Sequence, residues 1–253
     1  MRREAEGAVE IEWGGEAWRL LPSRGAVRLA RRWLVVADTH FGKAAAFRAA
    51  GINCPETTES DLRRLDGALE ASGAERLVVL GDFVHAREAM SEAVVGALAA
   101  WRARWSGLGV TVVRGNHDRA AGDPPASLAI EMIDEGLEVD GVTLCHDSGR
   151  SDRGESIGRA DGERVGGRGR GPSLAGHVHP AARLPDAGRL SLRLPCFLVG
   201  GSTMTLPAFG GMTGMHTVRP TAEERVYVVT PEAVVAIPRA GRGPGGRGLR
   251  AVD

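Results

Sequence analysis

The chain has 253 residues, of which 43% are hydrophobic and 25% are charged, and its formal net charge at pH 7 is zero. This length and composition allow one large hydrophobic core with at most a small appendage. No apolar run reaches the roughly 18 residues of a membrane-spanning helix, so we expect no membrane association. Because the chain has no overall positive charge, a nucleic-acid partner would have to bind a local basic patch.

The N-terminus and the cysteines both bear on the cellular compartment. Residues 1–6 lack an apolar stretch, which argues against a secretory signal. The three cysteines, Cys54, Cys145 and Cys196, are widely spaced and odd in number. This pattern is typical of reduced, partly buried thiols rather than of a disulfide framework. We therefore expect a cytoplasmic protein.

The first half of the chain alternates predicted strands and helices. Short strands and turns are expected within residues 7–32, ahead of a strand buried on both faces at 34–37. The pattern then predicts, in chain order, a helix over 57–71, a strand over 77–80, a helix over 89–105 and a strand over 110–113. This order favours right-handed crossovers and a parallel sheet.

The second half is predicted to be mostly β-strand with antiparallel pairing. A short helix is expected within residues 128–133, and a hairpin follows at 137–139 and 142–145. Later candidate strands are 174–175, 190–194, 197–199, 225–229 and 233–237. Together the two halves predict an α/β protein in which two mixed sheets lie face to face with helices outside.

Two segments rich in glycine and arginine have no predicted place in the core. Residues 147–173 and the tail 239–253 contain few apolar side chains and are predicted to be mobile. We therefore expect one domain over residues 1–238, with a loop at 147–173 and a flexible tail. Such arginines can contact phosphates, but near-equal numbers of acidic residues favour a solvated loop at 147–173. For the tail both interpretations stay open.

Five short polar strings follow predicted strands and carry the chemistry of the chain. They are Asp38-Thr39-His40, Gly81-Asp82, Gly115-Asn116-His117-Asp118, His146 and Gly176-His177-Val178-His179. The third string is predicted to form a polar loop. In an extended chain residues i and i+2 point to the same side, so each Asp-X-His or His-X-His pair can face one ion. A carboxylate such as that of Asp82 can bridge two cations. Mixed imidazole and carboxylate ligands suit Mn²⁺, Fe or Zn²⁺ better than Ca²⁺.

The histidines strengthen this interpretation. Six of the seven lie in or beside these strings, and only His216 stands apart. Two imidazoles beside a core strand, as in His177 and His179, are costly unless they find partners. Two metal ions about 4 Å apart can clamp both ends of an in-line displacement at phosphorus. The sequence therefore predicts a metal-dependent phosphoester hydrolase.

The order of the strings resembles the calcineurin-like metallophosphoesterase superfamily, with its blocks D-x-H, G-D, G-N-H-D, H and G-H-x-H. The resemblance implies a four-layer αββα sandwich and two divalent metal ions, Mn²⁺ first, with Fe or Zn²⁺ as alternatives. It implies one metal held by Asp38, His40, Asp82 and His179. It implies a second metal held by Asp82, Asn116, His146 and His177. A hydroxide bridging the metals would attack phosphorus, with His117 as general acid or charge stabiliser and Asp118 orienting it.

A closer likeness extends to the residues around the strings. Segments 37–43, 47–51, 80–85, 175–180, 194–197 and 206–210 resemble the ligase-associated DNA-damage-response endonuclease branch, PdeM. That branch usually has leucine where Thr39 and Phe41 stand, a departure that leaves the ligands unchanged. The likeness implies a DNA substrate in bacterial DNA repair, with a DNA ligase, a helicase and an exonuclease-like protein as partners.

Three residues near the strings are candidate substrate contacts. His85 follows Asp82 by three residues and is interpreted as a phosphate or supporting contact, with a solvated loop histidine as the alternative. Lys43, the only lysine in the chain, and Arg48 follow the first string and can bind a phosphate backbone, or they can lie on a solvated helix face.

Two other functions remain open from the sequence. A phosphatase or phosphodiesterase for nucleotides or other small esters is favoured by the absence of net positive charge. A non-catalytic repair scaffold is a second alternative, against which the intact ligand set argues. The oligomeric state is left open.

Overall fold

The computed structural model describes residues 6–149, 171–185 and 191–238. Most of the predicted Gly/Arg loop and the whole tail at 239–253 lie outside these ranges. Within them, no helix has the length and apolar character needed to cross a membrane. Cys54, Cys145 and Cys196 form no disulfide, as predicted, and Cys196 is buried.

The first sheet has seven strands that are hydrogen-bonded in chain order. They are β1 (Val9–Trp13), β2 (Glu16–Leu20), β3 (Ala26–Arg28), β4 (Trp33–Ala37), β5 (Arg76–Leu80), β6 (Gly109–Val113) and β7 (Glu131–Ile133). Strands β4 to β7 are parallel, which confirms the predicted parallel sheet. The register aligns Ala37 with Leu80 and Leu80 with Val113, so the carboxyl ends of β4, β5 and β6 are level.

Four α-helices connect the strands of this sheet. They are α1 (Lys43–Ala49), α2 (Thr58–Ser72), α3 (Glu92–Arg104) and α4 (Asn116–Ala121). Short 3₁₀ turns lie at Leu29–Arg31, Arg87–Ala89 and Ala126–Leu128. The predicted face of α2, with Leu62, Leu65 and Leu69, packs in one cluster with Leu98 and Trp101 of α3. This cluster covers the outer face of the first sheet.

The second sheet is assembled from the later part of the chain. Its strands are β8 (Leu137–Val139), β9 (Val142–Leu144), β10 (Ser173–Ala175), β11 (Pro180–Pro185), β12 (Ser191–Val199), β13 (Thr203–Thr205), β14 (His216–Thr217), β15 (Arg225–Val229) and β16 (Val234–Ile237). The order is β14-β11-β12-β13-β10-β9-β8, and β15 joins β12 to β16. The pairing is mostly antiparallel, as expected, but β10 runs parallel to both β9 and β13.

The two sheets pack face to face around a shared core. Residues of β4 alternate, so that Val35 and Ala37 enter the core between the sheets while Leu34 and Val36 enter the outer cluster. Phe197 and Val199 face them from the second sheet. A smaller cluster covers the other face of that sheet, formed by Cys196, Leu198, Val226 and Val228. The predicted α/β sandwich of two mixed sheets is confirmed.

Three local predictions were wrong. Residues 128–133 form a 3₁₀ turn followed by strand β7, because Glu131–Ile133 pairs with Thr111–Val113 and extends the parallel sheet. The predicted strands 190–194 and 197–199 are one strand, which pairs first with β11 and then with β13 and β15. The polar string after β6 opens helix α4 instead of a loop.

Candidate metal centre

Three polar strings leave the level ends of the parallel strands and run side by side. Asp38 follows β4, Asp82 follows β5 after one glycine, and Asn116 opens α4 after β6. The backbone N–H of Asp38 donates to the Gly81 carbonyl oxygen at 3.2 Å, and that of His40 donates to the Asp82 carbonyl oxygen at 2.8 Å. Backbone hydrogen bonds thus continue the β4–β5 pairing into the polar strings and bring the two carboxylates together.

The second sheet brings the remaining histidines to the same place. His146 follows β9, and His177 and His179 follow the neighbouring parallel strand β10. The backbone N–H of His177 donates to Asp38 Oδ2 at 2.9 Å, so the ends of the two sheets are joined at the site. The structure therefore places all seven predicted metal ligands at one edge of the sandwich.

The seven side chains divide into two groups around Asp82. The ligand atoms of Asp38, His40 and His179 lie within 4.8 Å of one another, as do those of Asp82, His146 and His177. Asp82 Oδ2 is 3.8 Å from His40 Nε2, while its Oδ1 is 3.5 Å from His146 Nε2. The two oxygens of Asp82 thus face different groups, which is the arrangement that a bridging carboxylate requires.

Asn116 completes the second group. Its Oδ1 lies 3.0 Å from His146 Nε2, and the same Nε2 is 3.0 Å from His177 Nδ1. His146 Nδ1 is 3.1 Å from the Leu80 carbonyl oxygen, which fixes the proton on Nδ1 and leaves Nε2 directed at the ligand group. The ring orientation is therefore the one that a metal ligand needs.

The chemistry of this donor set fits divalent cations. Asp38 and Asp82 are 0% and 3% exposed, and within the described ranges their side-chain ion pairs are with histidine rings, not with lysine or arginine. Two buried carboxylates without a strong cationic partner are costly unless a cation is bound. Burial and the charge of Lys43 lower the pKa of His40 to about 2, so this ring is neutral and its lone pair is available.

The backbone of the ligands is unusual. Asp38, His40, Asp82, His177 and His179 have φ of 52°, 45°, 49°, 66° and 50°. This left-handed conformation is uncommon for non-glycine residues and concentrates at functional sites. The expectation that the pairs at i and i+2 lie on extended chain was therefore wrong. The paired ligands converge because both members of each pair turn out of the strand.

Glycines in the strings provide space for the ligands. A Cβ added to Gly115 would overlap Asp82 Oδ1, and one added to Gly81, whose φ is 77°, would overlap the His146 ring. A Cβ on Gly176 would lie 2.8 Å from Asp38 Oδ2. Glycine is required at these three positions because the neighbouring backbone passes directly against a ligand side chain.

His117 and Asp118 lie beside the ligands but have different partners from those expected. The carboxylate of Asp118 is buried and accepts from the backbone N–H groups of Phe83, Val84 and Gly115 at 3.0–3.2 Å. Burial raises the pKa of this carboxyl. The Nδ1 of His117 instead lies 2.6 Å from the His85 carbonyl oxygen. Asp118 thus connects the second and third strings through their backbones.

Of the three candidate substrate contacts, two are partly buried and one is exposed. His85 lies in the centre, where its Nδ1 is 3.3 Å from His40 Nδ1, and burial lowers its pKa to about 4. Lys43 is half-buried, its Nζ lies 5.7 Å from the centroid of the Phe47 ring, and burial lowers its pKa. Arg48 is exposed and pairs with Glu56 at 2.5 Å, so it is engaged at the rim of α1.

Sequence reasoning missed a segment that supports the ligands from behind. The backbone N–H groups of Phe209 and Gly210 donate to the carbonyl oxygens of Ala37 and Asp38 at 2.7 and 3.1 Å. His216, which stood apart in the sequence, donates its backbone N–H to the His179 carbonyl oxygen at 2.9 Å. The glycine pair that follows Phe209 was the available signal, because adjacent glycines mark a close backbone approach.

Comparison with known proteins agrees with this geometry. A family model described as calcineurin-like phosphoesterase matches residues 31–165. The crystal structure of the Pseudomonas putida nuclease MPE is similar, with 38% sequence identity and a TM-score of 0.72 over 91% of this chain and 100% of that chain. No curated protein matches the chain. The matched model spans more than half of the sequence, and the protein belongs to the calcineurin-like phosphoesterase family.

Proposed function

We propose that this phosphoesterase is a dinuclear-metal phosphodiesterase that cleaves DNA internally, in a bacterial DNA-repair setting. The observation that carries the proposal is the position of Asp82, whose two oxygens face the two ligand groups at 3.8 and 3.5 Å. The similar Pseudomonas putida protein is named a nuclease, which supports a polynucleotide substrate.

Each of the two ions would have three ligands of its own and would share one more. Asp38, His40 and His179 would hold the first ion, and Asn116, His146 and His177 the second, with Asp82 shared. Nitrogen and oxygen donors of this kind suit Mn²⁺, with Fe and Zn²⁺ as the alternatives. When bound, two such cations polarise a phosphoryl oxygen and activate water at neutral pH.

His117 is placed to handle the proton of the leaving group. Its Nε2 lies 4.0 Å from Asp82 Oδ2, and its ring is half-buried at the mouth of the centre. The His85 carbonyl oxygen accepts from Nδ1, so Nε2 is the atom that holds or releases a proton towards the cleft. We infer that protonated His117 donates from Nε2 to the departing oxygen while Nδ1–H keeps its hydrogen bond.

The open side of the centre is where a phosphodiester would enter. Asn116 and His177 are exposed, whereas Asp38, His40, Asp82 and His146 are buried. A substrate phosphate would therefore approach over the second ligand group.

A small phosphodiester or nucleotide is the second candidate substrate, and one observation favours it. Arginines beside the third string are already paired with acids, Arg114 with Asp123 at 2.7 Å and Arg119 with Glu135 at 3.4 Å. Paired arginines give the rim little net positive charge, and a nucleic-acid surface usually has a basic patch.

A scaffold without catalysis is less well supported. The ligand set, the glycines that make room for it and His117 are all present, and a scaffold would not need His117 at the cleft. Association with a DNA ligase, a helicase and an exonuclease-like protein is a proposal that rests on the family resemblance. A cytoplasmic location is a proposal that rests on the cysteine pattern.

The test compares substrates with Mn²⁺ present. Linear DNA, circular plasmid DNA, cyclic nucleotides and an aryl phosphodiester are incubated with the full chain and with Asp82→Asn. Nicking of circular DNA by the unaltered chain, lost in Asp82→Asn, is expected. Turnover of small esters with no cleavage of any DNA form would overturn the nuclease proposal, and DNA cleavage retained by Asp82→Asn would overturn the site.

A further inference from the structure

Residues 206–211, which we call the support segment, lie directly behind the first ligand string. Phe209 N–H donates to the Ala37 carbonyl oxygen at 2.7 Å, and Gly210 N–H donates to that of Asp38 at 3.1 Å. A Cβ on Gly210 would lie 2.5 Å from the Thr39 carbonyl oxygen, so the segment is packed against the backbone between the two ligands of this string.

The same part of the chain also holds the string that contains His177 and His179. Leu206 N–H donates to the Ala175 carbonyl oxygen at 2.9 Å, immediately before that string begins. Further along, His216 N–H donates to the carbonyl oxygen of His179 at 2.9 Å. The backbone of the support segment and its continuation thus contacts both strings that supply the first ion's ligands.

A buried carboxylate on α2 holds the support segment. Asp61 is 3% exposed and accepts the Gly211 N–H with both oxygens, each at 3.1 Å. Arg64, one turn along the helix, donates Nη2 to Asp61 Oδ1 at 2.9 Å and also to the Phe209 carbonyl oxygen. Its guanidinium lies 4.4 Å from the centroid of the Phe209 ring.

The support segment has a further cationic contact, with an arginine from the first part of the chain. Arg24, which follows the first β-hairpin strands and has φ of 71°, donates Nη1 to the Ala208 carbonyl oxygen at 3.2 Å. Carbonyls of adjacent residues are therefore held by guanidinium groups from two separate parts of the chain. Among the described residues, the side-chain hydrogen bonds given for Arg24, Asp61 and Arg64 do not involve the seven candidate ligands.

We propose that Asp61 is a positioning residue for the metal centre. Together with Arg64 it holds the support segment in contact with the backbone of Asp38, and this contact fixes the ligands of the first ion. The inference rests on the proposed dinuclear site. Asp38 and His40 are in the left-handed conformation, which persists only where surrounding contacts over-determine it. The Gly81 and Asp82 carbonyls supply those contacts on one side, and the support segment supplies them on the other.

A stabilising ion pair alone does not account for the arrangement. A buried ion pair often contributes little net stability compared with an apolar replacement, because both charges lose their hydration. Both oxygens of Asp61 accept the single backbone N–H of Gly211, which fixes the position of Gly211 rather than only neutralising Arg64. Asp66 is a second carboxylate on α2, and its hydrogen bonds are with Arg104 and Trp105 at the end of α3 rather than with the support segment. It is therefore the matched control.

The experiment measures Mn²⁺ binding by the full chain without substrate. Titration calorimetry and the electron paramagnetic resonance spectrum of bound Mn²⁺ are recorded for the unaltered chain, Asp61→Asn and Asp66→Asn. In Asp61→Asn we expect one of two ions to bind about tenfold more weakly or worse, as for other residues that orient ligands, with loss of the spin-coupled signal of a Mn²⁺ pair. Asp66→Asn should bind both ions normally.

A second variant tests the same contact without changing a charge. Gly210→Ala forces the support segment away from Thr39, so it should weaken binding of the same ion. Its metal-free melting transition shows whether the variant folds. If Asp61→Asn does not fold, this variant decides the question. Normal binding of both ions by the folded variants would overturn the inference. Failure of the unaltered chain to bind two ions would instead overturn the proposed dinuclear site.

Discussion

The ring Nδ1 of His117 lies 2.6 Å from the backbone carbonyl oxygen of His85. A carbonyl oxygen only accepts, so the ring donates from Nδ1 and presents Nε2 to the cleft. The imidazole rings of His85 and His117 are also stacked, with their centroids 4.7 Å apart and an angle of 25° between their planes. The backbone of residue 85 therefore does what the carboxylate of Asp118 was expected to do.

This relationship predicts how His117→Ala will behave. DNA cleavage should fall by about 100-fold or more, the range for loss of a general acid. The loss should be smaller for an aryl phosphodiester, because a good leaving group needs less protonation. The test is to measure steady-state rates of His117→Ala on both substrates. The number of Mn²⁺ ions that the variant binds is the control. Equal losses on the two substrates would contradict the acid role, and lost metal binding would indicate a structural one.

Substitution of Asp118 should change the stability of the fold more than it changes proton transfer by His117. Asp118→Ala leaves the backbone N–H groups of Phe83, Val84 and Gly115 without their acceptor, and each unsatisfied buried donor costs about 1–3 kcal/mol. Urea unfolding with a chelator present should show this loss, with a smaller one in Asp118→Asn, which keeps an oxygen acceptor. Unchanged stability with a large fall in kcat would favour direct action of Asp118 on the His117 ring.

The glycine of the third string should be necessary for metal binding. In Gly115→Ala the new methyl group would overlap Asp82 Oδ1, so the carboxylate proposed to be shared by the two ions must move. We expect Mn²⁺ affinity to fall by about tenfold or more, as when a contact that orients a ligand is lost. Gly107→Ala is the matched control, because its added Cβ meets nothing within 4 Å. Equal Mn²⁺ titrations for the two variants would count against the geometry.

Lys43 and Arg48 should differ as DNA contacts. Lys43 is half-buried beside the centre, whereas Arg48 is held by Glu56 and by the Cys54 carbonyl oxygen. We expect Lys43→Ala to raise KM for DNA and to lower the salt dependence of binding by about one phosphate contact. Arg48→Ala should stay close to the unaltered chain. Both are measured over a series of salt concentrations. An equal or larger effect of Arg48→Ala would contradict this assignment.

Removal of metal should lower stability in a way that depends on Asp82. A ligand present at 100 times its Kd stabilises the folded state by about 2.7 kcal/mol. We expect the melting temperature to rise with Mn²⁺, to fall back with EDTA and to be insensitive to both in Asp82→Asn. Differential scanning calorimetry provides the measurement. A Mn²⁺-dependent shift of full size in Asp82→Asn would exclude Asp82 as a shared ligand.

The sequence by itself determined the parallel strands and the identity of the ligand strings. Runs such as 34–37 and 77–80 are apolar on both faces, and a carboxylate follows each run within two residues, at Asp38 and Asp82. Both features are local in the sequence. Strand β7 and helix α4 were not predictable in this way, because Glu131–Ile133 is a strand only through its pairing with Thr111–Val113.

Only the tertiary structure decided how the ligands are oriented and what holds them. The left-handed turns at Asp38 and His40, the carbonyl of His85 under His117 and the contact of Asp61 with Gly211 each need partners distant in the chain. Asp61 and Gly211 are 150 residues apart. Local periodicity reports which face of an element is buried, but it carries no information about which distant backbone group will meet a given side chain.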